Sequence, residues 1–254
     1  MDLGLKGKLA LVTGGTAGLG LAIAESLVKE DCRVVVAGRD ERKIATAVEK
    51  LRSLSPHAKV DGQRMDVSDE KSLRDGLAAC LADNAIDILV NNVGGPAAGD
   101  PLDIPLESWD KGYQSLLRSV IISSQVVIPR MKEKQWGRIL TITSTSAREL
   151  IPKLPVSSTF RAGLTAYTKE LAKQTGRWGI LVNNLLPGPT RTDRLTELSH
   201  KSPKFYAAME SQSALGRVSE PDEIGRIGAF LVSGANTVIT GTDVLADGGY
   251  TSAL

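Results

Sequence analysis

The sequence predicts a single doubly wound α/β domain, a Rossmann-like sheet of about seven mostly parallel strands with helices on both faces. Three observations carry that prediction. Short β-branched runs recur along the chain. They are apolar almost without a break, as strands covered on both faces should be, rather than alternating. Stretches with helical spacing separate them, and strand–helix alternation is the pattern that builds a parallel sheet. At 254 residues the chain is long enough to bury roughly 70–75% of its unfolded surface around one core. No Gly/Ser/Pro linker, internal repeat or low-complexity tract divides it.

The elements follow in order. Residues 9–13 form the first run, and Leu19, Ile23 and Leu27 then fall on one helical stripe. Further strand-like runs occupy 33–37, 86–90, 138–143 and 180–186, separated by helical stripes through Trp109, Tyr113, Leu116 and Val120 and through Phe160, Leu164, Tyr167 and Leu171. Ligands of such sheets sit outside the carboxyl ends of the strands, so the residues just after each run are the candidates for function. Residues 189–215 fit neither period well, and a segment of that length in a compact α/β domain reads as a lid over the substrate.

Composition removes several classes. Thirty-one basic against 29 acidic residues leaves a net charge of +2, with the signs interspersed, which argues against nucleic acid as a partner. No window approaches the about 18 unbroken apolar residues of a membrane span. The opening residues carry no apolar signal core and no glycine at position 2, so a cytoplasmic location is expected. Cys32 and Cys80 lack any C-x-x-C or metal-like spacing; both read as buried small side chains, and no metal site is expected.

The segment 13–20, Thr-Gly-Gly-Thr-Ala-Gly-Leu-Gly, lies between the first strand and the first helix. Gly14 permits the tight turn, while Gly18 and Gly20 allow backbone amides and the helix N-terminus to approach a pyrophosphate. The second strand ends Ala37-Gly38-Arg39. NAD-specific proteins carry an acid near this point for the ribose 2′-hydroxyl, whereas a guanidinium fork matches a 2′-phosphate. The expected cofactor is therefore NADP(H).

The Gly-x-x-x-Gly-x-Gly spacing resembles that of the short-chain dehydrogenase/reductase family. The resemblance continues through Asp66, Asn91-Asn-Val-Gly-Gly95, Pro187-Gly188, Ile239-Thr-Gly and Asp247-Gly-Gly, covering nearly the whole chain. It implies that Thr16, Leu19 and the glycines contact the cofactor, that Asp66 and Val67 lie at the adenine, and that Asn92 and Gly94 line the ribose side. It further implies that the loop after Pro187 and Gly188 holds the nicotinamide amide through Thr190 and Thr192, and that the chain forms a homotetramer or homodimer through the helices near Tyr113 and Ser157.

The family's catalytic residues are a tyrosine with a lysine four positions later, a serine on the fifth strand and an asparagine. Ser144 matches the serine. Ser157 stands at the tyrosine position, Arg161 at the lysine position and Leu116 at the asparagine position. A serine hydroxyl is a far poorer acid than a phenol, and a guanidinium stays protonated. Ser144, Ser157 and Arg161 can stabilise an oxyanion without protonating it quickly, and Arg161, at the position of the family's ribose-binding lysine, can still bind the cofactor's ribose hydroxyls. Conjugate reduction of an enal or enone needs no more than that, because hydride on the β-carbon leaves an enolate that solvent protonates on carbon. Segments 157–161 and 187–194 also resemble atypical members that reduce ring double bonds in bacilysin- and aeruginosin-type biosynthesis. The expected partner is thus a small unsaturated carbonyl substrate. One alternative is a carbonyl reductase, similar to 3-oxoacyl reductases, with its proton donor relocated to Tyr206, His200, Arg148 or Glu149. Another is a catalytically silent nucleotide-binding protein. The plainer readings are Tyr206 and Phe205 as apolar lid lining, His200 and His57 as loop residues, and Arg148 as a surface charge.

Overall fold

A computed structural model describes residues 1–82, 85–200 and 204–253; within those ranges the side chains of Arg194, Leu198, Ser199, His200, Lys204 and Phe205 are outside the description. Its sheet has seven strands, β1 (Leu9–Thr13), β2 (Arg33–Gly38), β3 (Val60–Arg64), β4 (Ile88–Asn91), β5 (Gly137–Ile142), β6 (Ile180–Pro187) and β7 (Asp243–Ala246), in the order β3-β2-β1-β4-β5-β6-β7. Every pairing is parallel. The winding reverses between β1 and β4, so the loops leaving these two strands face one another across a crevice.

Why β1 is apolar at every position is visible in its burial. Ala10 and Val12 pack with Ile23 and Leu27 of α1 (Gly18–Lys29) and Ile224 and Leu231 of α9 (Pro221–Leu231). Leu9 and Leu11 point the other way, into a second core with Leu73 and Leu77 of α3 (Glu70–Leu81) and Val127 and Met131 of α5 (Ser119–Glu133). The sheet lies between the two cores, and the remaining helices are α2 (Glu41–Arg52), α4 (Leu106–Gly112), α6 (Pro155–Thr175), α7 (Asp193–His200) and α8 (Lys204–Gln212). Helix starts are set locally. Asp40 caps α2 by accepting from the amides of Arg42 and Lys43, Asp69 caps α3 through Ser72 N–H, and Glu220 and Glu223 form a capping box on α9.

Three expectations change. The segment 189–215 contains the helices α7 and α8 instead of irregular loop; α7 is amphipathic but only two turns long, too short for its period to register in a sequence window. The buried row of α6 runs through Ser157, Arg161, Leu164 and Thr168, while Phe160, Tyr167 and Leu171 of the apolar stripe are only half-buried. Polar residues occupy the inner row because they hydrogen-bond there. Cys80 is half-buried, not buried, since it ends the row Leu73, Gly76, Leu77 at the last turn of α3. Burial pushes the Cys32 thiol up to about 12, with the Asp87 carboxylate adding to it, and the Cys80 thiol up to about 11. Neither is a thiolate at neutral pH, which makes both poor nucleophiles. Among the described residues there is no cluster of metal-ligating side chains, and no helix is long and apolar enough to cross a membrane.

Candidate active site

The crevice is built first by a lacing of the β1 and β4 exits. Thr13 Oγ1 accepts from Asn92 N–H at 2.9 Å and donates to Asn92 C=O at 3.0 Å, while Asn92 Nδ2 donates to Gly14 C=O at 3.0 Å. Gly14 takes a φ of 55°, and a Cβ there would lie 2.7 Å from Asn92 O. A Cβ at Gly20 would lie 2.4 Å from Gly14 O. Gly20 is thus required for the loop's own packing, a reason for glycine that stands beside the ligand approach read from the sequence. Gly18 is the open position: it has φ 53°, and its nearest neighbour is the Thr192 methyl, 3.6 Å from a built Cβ.

Helix α1 begins behind Ala17, which is extended and supplies no side-chain cap, and its first turn carries no acid. The leading amides of the helix consequently have no side-chain acceptor from the cap, an arrangement that fits a phosphate. Leu19 is half-buried against the core. Arg39 is exposed at the end of β2, and no carboxylate pairs with it among the described residues. At Gly38 a Cβ would lie 2.9 Å from the Thr16 methyl, so Thr16 crowds any side chain at the position where an acid would repel a 2′-phosphate. These features fit an NADP(H) diphosphate and ribose phosphate.

At the two residues expected to meet the adenine, Asp66 Oδ1 accepts from Ser68 N–H and Oγ, and Val67 is half-buried. Gly94 is exposed with open space around it. Pro187 pairs with Ala246, and Gly188 packs so closely on Asp247 that a Cβ would meet it at 2.7 Å. Thr190 is buried and donates to Gly188 C=O at 3.0 Å, which commits its hydroxyl hydrogen to the loop itself. Thr192 accepts from Leu195 N–H, starting α7, and its methyl lies over Gly18. The start of the 189–215 segment therefore crosses the phosphate loop.

Across the crevice, β5 ends at a single 3-10 turn, Thr145–Ala147, capped by Ser144, whose Oγ accepts from Ser146 N–H at 3.2 Å. One turn of α6 places Ser157 and Arg161 on the same face. Arg161 Nε donates to Ser157 Oγ at 3.2 Å and Nη1 to Ile142 C=O at 3.0 Å, which anchors the guanidinium to β5. Ser157 Oγ and Ser146 Oγ are 3.0 Å apart. Ser146, Ser157 and Arg161 are buried and Ser144 half-buried. Ser144, Ser157 and Arg161 were expected together; Ser146 was not, although a second hydroxyl two residues beyond the strand end was the available signal. Leu116 is buried in a π-helical stretch, Tyr113–Arg118, that joins α4 to α5. It lines a cavity of about 10 Å³ together with Asn91, Ser123 and Arg161, among others, room for about one water. A side chain that could donate from position 116 is thus replaced by hydrocarbon.

Three of the four relocated-donor candidates, Tyr206, Arg148 and Glu149, have partners of their own within the fold. Tyr206 OH lies 3.2 Å from Thr196 Oγ1, and its ring lies under the Arg191 guanidinium, which pairs with Glu220 at 2.9 Å. Arg148 is more than a surface charge: it pairs at 3.6 Å with the buried Asp243 carboxylate. Glu149 accepts from the amides of Ser252 and Ala253, which fastens the last described residues over this edge. His57 is exposed, and Tyr113, 40% exposed, stands in a tilted contact with Phe160. The side chains of His200 and Phe205 lie outside the described residues.

Comparison with known proteins gives a consistent result. The sequence profile described as enoyl-(acyl carrier protein) reductase matches residues 14–251. The chain is 32% identical to the 3-oxoacyl-[acyl-carrier-protein] reductase of Aquifex aeolicus, over 98% of this chain and 99% of that protein. Among solved structures it is similar to L-sorbose reductase of Gluconobacter frateurii, complexed with NADPH and L-sorbose, with a TM-score of 0.93, 25% identity and full coverage of both chains. It is also similar to YwfH, an NADPH-dependent reductase involved in bacilysin biosynthesis, with a TM-score of 0.93 and 25% identity over 98% of this chain and 100% of that one.

Proposed function

The chain belongs to the short-chain dehydrogenase/reductase family, and from that premise we propose that it is an NADP(H)-dependent reductase of an activated carbon–carbon double bond in a small carbonyl-conjugated substrate. The observation that carries the proposal is the Ser144–Ser146–Ser157–Arg161 cluster, which offers hydroxyl donors beside a fixed cation and no phenol. NADPH, when bound, supplies the hydride. The chain's own residues then have one task at the carbonyl end. Ser144 and Ser157 donate to the oxygen on which the enolate charge gathers, and Arg161 adds positive potential from behind Ser157. Solvent delivers the proton to the α-carbon. Similarity to YwfH, itself an NADPH-dependent reductase, supports this reading. Three exposed leucines, Leu102, Leu106 and Leu150, stand on or beside loops joined by the Gly99 N–H to Lys153 C=O bond, which favours an apolar substrate.

A carbonyl reductase is the second reading, supported by the resemblance to the Aquifex aeolicus 3-oxoacyl reductase. The two separate in one assay. NADPH oxidation is followed by absorbance against a cyclic enone, an open-chain enal, a β-ketoester and an aldehyde, with the product identified by mass and NMR. A saturated carbonyl product is expected from the enone or enal. Alcohol as the sole product favours the second reading.

The cofactor choice is tested separately at Arg39. Arg39→Ala is expected to weaken NADPH by about 1.5–3 kcal/mol, the range for hydrogen bonds to charged groups, and to leave NADH nearly unchanged. Equal loss for both cofactors in a fluorescence titration would remove Arg39 from the discrimination. In this reading the segment 189–215 covers substrate, and the half-buried ring of Phe160 and the exposed ring of Tyr113 meet a second copy of the chain, as a homodimer or homotetramer.

A further inference from the structure

We propose that Ser146 is a positioning residue that aims the Ser157 hydroxyl hydrogen at the substrate oxygen, an inference that rests on the assignment of Ser157 as an oxyanion donor. The argument is one of hydrogen counting. A hydroxyl has one hydrogen and two acceptor sites. Arg161 Nε can only donate, so its bond at 3.2 Å fills one acceptor site of Ser157. The contact between Ser146 Oγ and Ser157 Oγ at 3.0 Å leaves two possible directions. If Ser157 donated, its single hydrogen would turn away from the substrate. The buried Ser146, whose hydroxyl finds one partner among the described residues, would then hold an unused hydrogen, which is costly. If Ser146 donates, its own hydrogen is used, both acceptor sites of Ser157 are filled, and the Ser157 hydrogen is directed out of the cluster. Two donors converging on one hydroxyl also polarise it, which strengthens the bond it gives.

The backbone of the same residue serves the other hydroxyl. Ser146 N–H donates to Ser144 Oγ at 3.2 Å, occupying an acceptor site there and leaving the Ser144 hydrogen available as well. One residue on a 3-10 turn thereby orients both donors, the first through its amide and the second through its side chain. Only the second function depends on the side chain, so substitution isolates it.

A double-mutant cycle in the NADPH-loaded enzyme tests this. Ser146→Ala is expected to lower kcat about tenfold, with KM and NADPH affinity within about twofold and with the wild-type melting temperature; Ser146→Thr, which keeps a hydroxyl, is expected to recover most of the loss. In a Ser157→Ala background, Ser146→Ala is expected to have no further effect, because its target is gone. Equal loss in both backgrounds, or no loss in the first, overturns the proposal. The cycle is measured on whichever of the enone and the β-ketoester the wild type reduces, so failure of the double-bond reading leaves this test intact. A readout free of turnover accompanies it: 4-nitrophenol, titrated spectroscopically in complex with the NADP⁺-loaded protein, is expected to ionise at lower pH in the wild type than in the Ser146→Ala variant. A wild type that reduces neither substrate and leaves 4-nitrophenol ionising as it does in water overturns the proposal together with the reading beneath it.

Discussion

Replacing Ser144 and Ser157 together by alanine is expected to lower turnover on the enone by about 10²-fold or more, the loss that follows removal of oxyanion donors, while NADPH affinity stays unchanged. The geometry gives the reason. Both hydroxyls are held by donors behind them, Ser144 by the Ser146 amide and Ser157 by Arg161, so both enter the reaction with their orientation already set and pay little to reorganise. The proposed cofactor contacts lie elsewhere, at Gly18, Arg39 and the N-terminus of α1, which is why binding should survive. The pH profile supplies an independent check. A tyrosine assisted by a lysine changes protonation within the working range, whereas a serine hydroxyl stays protonated and a guanidinium stays charged across it. Turnover with the enone is therefore expected to be flat between about pH 6 and 9. A bell-shaped profile there, or a double alanine variant with wild-type turnover, would mean that a titrating acid elsewhere does the work.

Much of this site is legible in the sequence because its signals are local. The glycine loop, Arg39 after the second strand, and Ser157 and Arg161 four residues apart on one helix each need only a few consecutive residues to be read. What was hidden depends on distant partners. Gly20 reads in the sequence as a phosphate contact, and the sequence does not show that Gly14 O and Asn92 Nδ2, the latter brought in by β4, also forbid a side chain there. Thr16 reads in the sequence only as a cofactor contact implied by the resemblance, and only the fold shows that its methyl also crowds position 38. The α6 stripe misled in part for the converse reason: periodicity ranks residues by hydrophobicity, whereas the inner row of that helix joins Leu164 to Ser157, Arg161 and Thr168, which hydrogen-bond to Ser146, Ile142 and Asn184.

Arg138 is the strongest case of a role set by distant partners, and it carries the largest stability effect. In the sequence it is the polar start of an apolar strand run. In the fold it is buried at 5% exposure and donates to the backbone carbonyls of Gly137, Gly179, Ser233 and Asn236, tying β5 to the approach of β6 and to the exit of α9. The face of its guanidinium also rests on the Trp136 ring, 4.5 Å from the centroid. Burial lowers its pKa to about 10, which leaves it charged at neutral pH. Arg138→Ala strips the donors from a set of carbonyls that have little access to water, and each buried acceptor left without a partner costs about 1–3 kcal/mol. Water entering the new space recovers part of that, so the expected loss is about 3–5 kcal/mol. For a chain of this size, with about 2–4 °C for each kcal/mol, the melting temperature should fall by about 6–20 °C. Arg138→Lys should fall between the two, since one ammonium cannot span carbonyls that a planar fork reaches together. Because β5 delivers Ser144 and Ser146 at its carboxyl end, far along the strand from Arg138, the variant is expected to lose stability while retaining kcat below its own melting transition. A variant that melts like the wild type would show that these carbonyls find water as readily as they find the guanidinium.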